Sequence, residues 1–318
     1  MQAQLNSGVI AAPVTPFRAD GAADWPTFDR YMAQVAAGGA RAIAVNMAAG
    51  EGGSLEPDEQ LEAIRRARAA AGGACPVISG VLSTYTAGAR NVARRAVDAG
   101  AQGIVIFPAL PTFISKPVPV SMIADYHAAI AEVVDVPVIA FQTANAAYPP
   151  GTLAALARIG RLVAIKDAAF DVDRTVELLE EAEPTGISVL TGNDTFILEA
   201  MLMGCAGALI GFAGTATAQL VRMHDLATAG KITEAYGIWN RLAPLARVCW
   251  RAPLRDYRVR MKYVLMRQGV IPDMTARAPQ PPLSDRDRAD LDRVIAKHGL
   301  LSPEFLPAPP ESWMRAAS

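Results

Sequence analysis

The sequence predicts a (β/α)8 barrel with a C-terminal helical appendage. Eight short apolar runs recur along its first two thirds. They are continuously apolar rather than alternating, as strands buried on both faces require. Between them lie Ala- and Arg-rich stretches with apolar residues at helical spacing and charges opposite. Several of these end in glycine, at Gly38-Gly39, Gly72-Gly73, Gly100 and Gly204, just before the next run. A doubly wound sheet is the rival. It is disfavoured because no GxGxxG follows the first run, and Gly52-Gly53 after the second is a weak match to a dinucleotide loop.

In order, the predicted strands are residues 8–14, 42–45, 76–81, 103–107, 137–142, 162–166, 187–191 and 207–211. The helices between them are 25–37, 57–71, 87–99, 121–133, 151–159, 172–183 and 196–203. After Gly211 the pattern changes to helices over 216–230, 231–250 and 253–269, a Pro-rich link at 278–283, and a last charged helix over 284–297. The domain reading is a barrel at 1–215, a helical region at 216–300 packed on it, and a Pro-rich tail at 301–318 that is extended or frayed.

Composition narrows the function. The 318 residues are 52% hydrophobic and 19% charged, ample for a large core, and net charge is −1 with both signs interspersed. Neither nucleic acid nor an anionic membrane is an expected partner. Cys75, Cys205 and Cys249 are far apart and odd in number, so they form neither a disulfide framework nor a zinc spacing. His127, His224 and His298 form no metal-binding pattern and read as structural or surface residues, so no metal is expected. The chain opens with neither a basic start nor a long apolar run, and no apolar stretch reaches about 18 residues. A cytoplasmic location is the expectation.

Barrel enzymes place their chemistry at the C-terminal ends of the strands, and there one residue stands out. Lys166 ends the run Leu162-Val163-Ala164-Ile165 and precedes Asp167. The other lysines lie in ordinary places: Lys116 in a Pro-rich loop, Lys231 in a polar turn, Lys262 and Lys297 in helical, charge-rich stretches. Position alone leaves two roles open for Lys166. Desolvation lowers a lysine's pKa and frees its lone pair to attack a carbonyl. Alternatively, the side chain pairs with Asp167 or snorkels to solvent. The other strand ends are mostly small or apolar, which favours the nucleophile. The loop from Ala48 to Gly53 offers backbone N–H groups suited to a carboxylate. Glu51 within it has a structural reading, capping or pairing nearby, and Asn193 and Asp194 have the reading of helix N-caps.

Together these residues resemble the dihydrodipicolinate synthase / N-acetylneuraminate lyase family, the class I pyruvate-type aldolases. The resemblance rests on residues 8–17 with Asp20-Gly21, on Ala49-Gly50-Glu51, Val163-Ala164-Ile165-Lys166-Asp167 and Gly192-Asn193-Asp194, and on the stretch from Met261-Lys262 to Leu283-Ser284. It covers roughly Gly8 to Leu300. It implies that Lys166 is the Schiff-base lysine, that no cofactor is needed, and that the assembly is a homo-oligomer, a tetramer built from dimers or a dimer. The chain departs from the family pattern at several points. The usual loop hydroxyls are replaced by Ala48 and Ala49. The strand-five tyrosine aligns with Phe141 and the asparagine after it with Gln142. The neighbour-subunit tyrosine falls near Leu110, and the carboxylate-binding arginine near Ala146. A phenyl ring relays no proton.

The expectation is a lyase acting on a 2-oxo acid through a Lys166 Schiff base, by aldol cleavage, condensation or dehydration, for example of a 2-keto-3-deoxy acid, and not a true dihydrodipicolinate synthase. Expected catalytic positions are Lys166, Phe141 in place of the tyrosine, and Glu51. Expected substrate-binding positions are Ala48, Ala49, Gln142, Leu209 and Gly211. Protons would come from water, the substrate carboxylate, Tyr148 or Glu51. The alternative is a catalytically degenerate barrel that binds a carbonyl compound or serves as a structural oligomer.

Overall fold

The computed structural model describes residues 5–302 and Phe305. Eight parallel strands close into one barrel in chain order. They are β1 (Gly8–Ala11), β2 (Ala42–Val45), β3 (Val77–Val81), β4 (Ile104–Ile106), β5 (Val138–Thr143), β6 (Leu162–Ala168), β7 (Ser188–Thr191) and β8 (Gly207–Ile210). β1 pairs with both β2 and β8, so the sheet has no free edge. The expected strand ends move at two places that matter. The first strand stops at Ala11, because the prolines that follow donate no ladder hydrogen bond. The sixth runs two residues beyond Lys166, whose side chain therefore obeys strand alternation.

Around the strands run α1 (Trp25–Ala37), α2 (Pro57–Ala71), α3 (Thr86–Asp98), the single turn α4 (Pro111–Ile114), α5 (Val120–Ala131), α6 (Thr152–Leu156), α7 (Val172–Ala182) and α8 (Ile197–Met203). Caps explain several starts: Asp24 accepts from Thr27 N and Asp171 from Arg174 N. Next come α9 (Thr217–Thr228), α10 (Ile232–Trp250), α11 (Tyr257–Arg267) and α12 (Asp285–His298). α9 packs against β1 and α8, so it is the eighth helix of the outer ring, and the barrel extends past the expected boundary at residue 215. α10, α11 and α12 pack on one another beyond it. Among the described residues no helix is long and apolar enough to cross a membrane. The Pro-rich tail expected at 301–318 falls, but for Leu301, Ser302 and Phe305, outside the described residues.

One layer of the core fills the barrel and joins it to α10 and α11, including Val105, Phe107, Ile139, Phe141, Ala164, Leu190 and Leu209. A second includes the alternate residues Ile104, Ile106, Val138, Ala140, Ile165 and Val189, packed against α5, α6 and α7. This period of two sets the direction of every site residue on β5 and β6.

Candidate active site

Lys166 lies in register with Phe141 on β5 and Leu190 on β7 and shares their inward face. Its Nζ stands 4.4 Å from the centre of the Phe141 ring, which meets Phe107 edge-on at 5.0 Å. The lysine is 8% exposed. Gly192, just past β7, makes room for it: a β-carbon there would stand 2.6 Å from Lys166 Cε.

The alternative role of Lys166, pairing with Asp167, is not adopted. Asp167 points outward, where Oδ1 accepts from Gln142 Nε2 (2.9 Å) and Ala169 N (3.2 Å), and Oδ2 accepts from Thr175 Oγ1 (2.8 Å) and Asn193 Nδ2 (3.1 Å). Gln142 shares that outward face, and its Oε1 accepts from Tyr148 N. Its expected place among the substrate contacts is therefore corrected: one step along the strand from Phe141, it braces Asp167 instead.

The lysine's electrostatic partner is Asp194, 4% exposed. It caps no helix: α8 begins at Ile197 without a side-chain cap. Asp194 Oδ1 instead accepts from Phe212 N at 2.8 Å. Burial raises the Asp194 carboxyl well above the usual carboxylate range, opposed by that amide and by Lys166. Burial likewise lowers the Lys166 ammonium below the ordinary lysine value, opposed by Asp194. The two pull toward each other in titration, which leaves a neutral amine accessible near neutrality. Asn193 is not a cap either: it donates to Asp167 and accepts from Phe170 N.

Glu51 needs a different account from the catalytic one. It sits in left-handed backbone, φ 57°, and its carboxylate pairs with Lys262 Nζ at 2.5 Å, the two side chains being 3% and 0% exposed. A carboxylate neutralised in this way ties a loop down and is not a free base. Lys262 was the unremarkable lysine of a charge-rich helix; it is wholly buried, lying 4.3 Å from the Phe17 ring centre and donating to Thr275 O. Tyr148 supplies no proton to the barrel interior. Its hydroxyl contacts His127 Nε2 (3.1 Å) and Phe141 O (2.9 Å) in the outer layer, and burial raises its pKa strongly.

The other expected positions divide. Ala49 and Gly211 come together: a β-carbon at Gly211 would stand 3.0 Å from Ala49 Cβ, 3.2 Å from the Trp250 ring and 3.4 Å from Met261 Cε. Leu209 is fully buried on β8 beside Ile10. Leu110, near which the family's neighbour-subunit tyrosine falls, is 47% exposed just before α4. Ala146 is buried, donating to Thr143 O. The amides of Ala48, Ala49 and Gly50 have no acceptor among the described residues, as a carboxylate nest requires. The Ala48 carbonyl accepts from Glu51 N and, at 2.6 Å, from Arg258 Nε.

Sequence reasoning missed the group that α11 brings to this mouth. The Tyr257 ring lies 5.3 Å from that of Trp250, which packs on Phe212 at 6.1 Å. Arg258 stands 4.9 Å from the centre of the Tyr257 ring. The Tyr257 phenol is pushed up to about 12, mainly by burial, and also by Asp194 and Glu51.

The model of the Dihydrodipicolinate synthetase family matches residues 5–298. The chain belongs to this family. It is 31% identical over 305 residues to the 4-hydroxy-tetrahydrodipicolinate synthase of Chlorobium limicola, covering 95% of this chain and 100% of that one. It is 32% identical over 300 residues to that of Sphingopyxis alaskensis, covering 93% and 100%. Among solved structures, a chloride-inhibited dihydrodipicolinate synthase from Acinetobacter baumannii complexed with pyruvate superposes with a TM-score of 0.83 at 26% identity, over 92% of this chain and 99% of that one. The synthase from Thermotoga maritima, at 23% identity and a TM-score of 0.84, shares the fold. The family is one of lyases, and its (β/α)8 barrel is the architecture found here.

Proposed function

We propose that this family member is a class I lyase that joins Lys166 to the C2 carbonyl of a 2-oxo acid. The neutral amine adds to C2, the carbinolamine loses water, and the resulting iminium draws electrons from C3. Aldol cleavage, condensation or dehydration of a 2-keto-3-deoxy acid or similar compound then becomes accessible. No metal or organic cofactor is required, because the iminium is the electron sink. The observation that carries the reading is the inward-facing, nearly buried Lys166 with Asp194 as its electrostatic partner. Asp194 is the buried carboxyl whose charge acts on the lysine, whereas Phe141 has no hydroxyl and Tyr148 and Glu51 are committed elsewhere. The absence of loop hydroxyls at Ala48 and Ala49 favours a substrate other than that of the synthases.

Borohydride reduction in the presence of a panel of 2-oxo acids, pyruvate included, tests this. A mass adduct on the peptide carrying Lys166, lost in Lys166→Ala, is the expected result; no adduct with any 2-oxo acid sinks the reading. The reaction named for the curated relatives is assayed in parallel, and turnover at their level would overturn the choice of a different substrate. The replacement of the strand-five tyrosine by Phe141 favours a second reading, a barrel that binds a carbonyl compound without turnover. In that case Lys166→Ala keeps ligand-induced thermal stabilisation. A homo-oligomer belongs to the same proposal, supported by the exposed apolar side chains of Leu110, just before α4, and of Phe113 and Ile114 on it. Light scattering on the eluting protein reads its mass, and a monomer at micromolar concentration would reject it.

A further inference from the structure

Each of the other basic side chains of α11 has a carboxylate partner: Arg260 pairs with Asp287, Lys262 with Glu51, and Arg267 with Asp292. Arg258 has none among the described residues. Its Nε is spent on the Ala48 carbonyl at 2.6 Å, and its guanidinium rests against the Tyr257 ring. One nitrogen is thus used to aim the group, while the charge is left without a counter-ion beside the free amides of Ala48, Ala49 and Gly50. The charges around it balance in pairs, Glu51 with Lys262 and Asp194 with Lys166, so Arg258 leaves the mouth with one surplus positive charge.

We propose that Arg258 holds the C1 carboxylate of the substrate, taking over from the hydroxyls that Ala48 and Ala49 lack, with Tyr257 as the positioning residue beneath it. A guanidinium fixed at Nε presents its remaining N–H donors to an anion, and a carboxylate seated on the loop amides meets them there. Tyr257 is held by its stacking on Trp250, so the platform is a rigid part of α11. This inference rests on the 2-oxo acid reading, because it assigns the carboxylate of that substrate.

The test uses the full chain and two probes, pyruvate and its neutral amide, pyruvamide. Binding is read as the rise in melting temperature with each probe and, separately, as the concentration giving half-maximal borohydride trapping. The native protein is expected to prefer pyruvate. Arg258→Met is expected to raise the half-saturating pyruvate concentration about ten- to a hundredfold, the loss of charge-assisted hydrogen bonds, and to abolish the preference over pyruvamide. Arg258→Lys is expected to restore part of the preference. Tyr257→Phe keeps the ring platform and the preference, whereas Tyr257→Ala weakens pyruvate binding. A purely structural role for Arg258 would lower the melting temperature without touching the preference, and that outcome overturns the proposal, as does an unchanged response to pyruvate in Arg258→Met. Thermal stabilisation by pyruvate without an adduct in the native protein would reject the Schiff base and leave the anchor standing. No response to pyruvate by either measure would reject both.

Discussion

Burial disfavours the charged form of an amine and of a carboxyl alike, and a charge of opposite sign nearby works against it. Lys166 and Asp194 are such a pair: burial is the largest influence on each, and their mutual attraction opposes it. The consequence is a pH profile. Imine formation needs the free amine, so trapping of pyruvate on Lys166 is expected to rise with pH and to level off below 10.5, the ordinary lysine value. Asp194 favours the charged ammonium. Asp194→Asn is therefore expected to move the midpoint of that rise toward acid. Rapid-quench trapping across pH measures it, and a midpoint that stays in place or moves toward base would remove Asp194 from the lysine's surroundings. Phe141 adds a weaker pull in the same direction as Asp194, since the face of its ring attracts the ammonium.

At the scale of elements, the site is where the β2–α2 loop meets α11, about two hundred residues further along the chain. Glu51 and Lys262 bolt the two together in a nearly dry environment. A buried pair of this kind adds little net stability, but either charge left alone is costly. Glu51→Gln or Lys262→Met is expected to destabilise the protein by about 3–5 kcal/mol, with the double variant losing much less than the sum. Urea unfolding of the four proteins gives the coupling, and additive losses would show that the two charges are independent. This junction also explains what was legible beforehand. Lys166 was readable because an apolar strand ending in one lysine is a local pattern. Asp194 was misread because a Gly-Asn-Asp before a helix looks like a cap, and only the fold turns its carboxylate inward to Phe212 N. Arg258, Arg260 and Lys262 lie in a stretch that reads from sequence only as helical and charge-rich. α11 is wrapped by its neighbours, with Val259 to Leu265 all buried, so amphipathic spacing carried no information about which way its charges point.

For the whole molecule, the barrel was legible because parallel strands buried on both faces leave an unbroken apolar signature, and eight such runs separated by helices have few other solutions. Less visible was the polar stitching between barrel and helices, on which acid stability depends. His127, on α5, is 1% exposed. Its Nδ1 lies 2.8 Å from Ile123 O and must carry a hydrogen to satisfy that carbonyl. Nε2 then accepts from the Tyr148 hydroxyl, whose single hydrogen is shared with Phe141 O. The ring is thus held neutral, and burial lowers its pKa from 6.5 to about 4. Between those values the unfolded chain binds the proton and the folded one does not. Stability from this group is therefore complete above 6.5 and is lost as pH falls toward about 4. Asp194 works in the opposite sense, since its raised pKa makes the folded state bind a proton first as pH falls. The native protein alone would blend the two. The difference between it and His127→Gln separates them, because Asp194 is common to both. That difference is expected to shrink by about 2 kcal/mol between pH 7 and pH 5, one proton's linkage over the part of the window crossed. Urea titrations at each pH measure it. A difference that stays constant would mean that folding leaves the His127 pKa unshifted, and one that widens toward acid would mean that the ring is charged in the folded barrel and donates to the Tyr148 hydroxyl; either result overturns the neutral assignment.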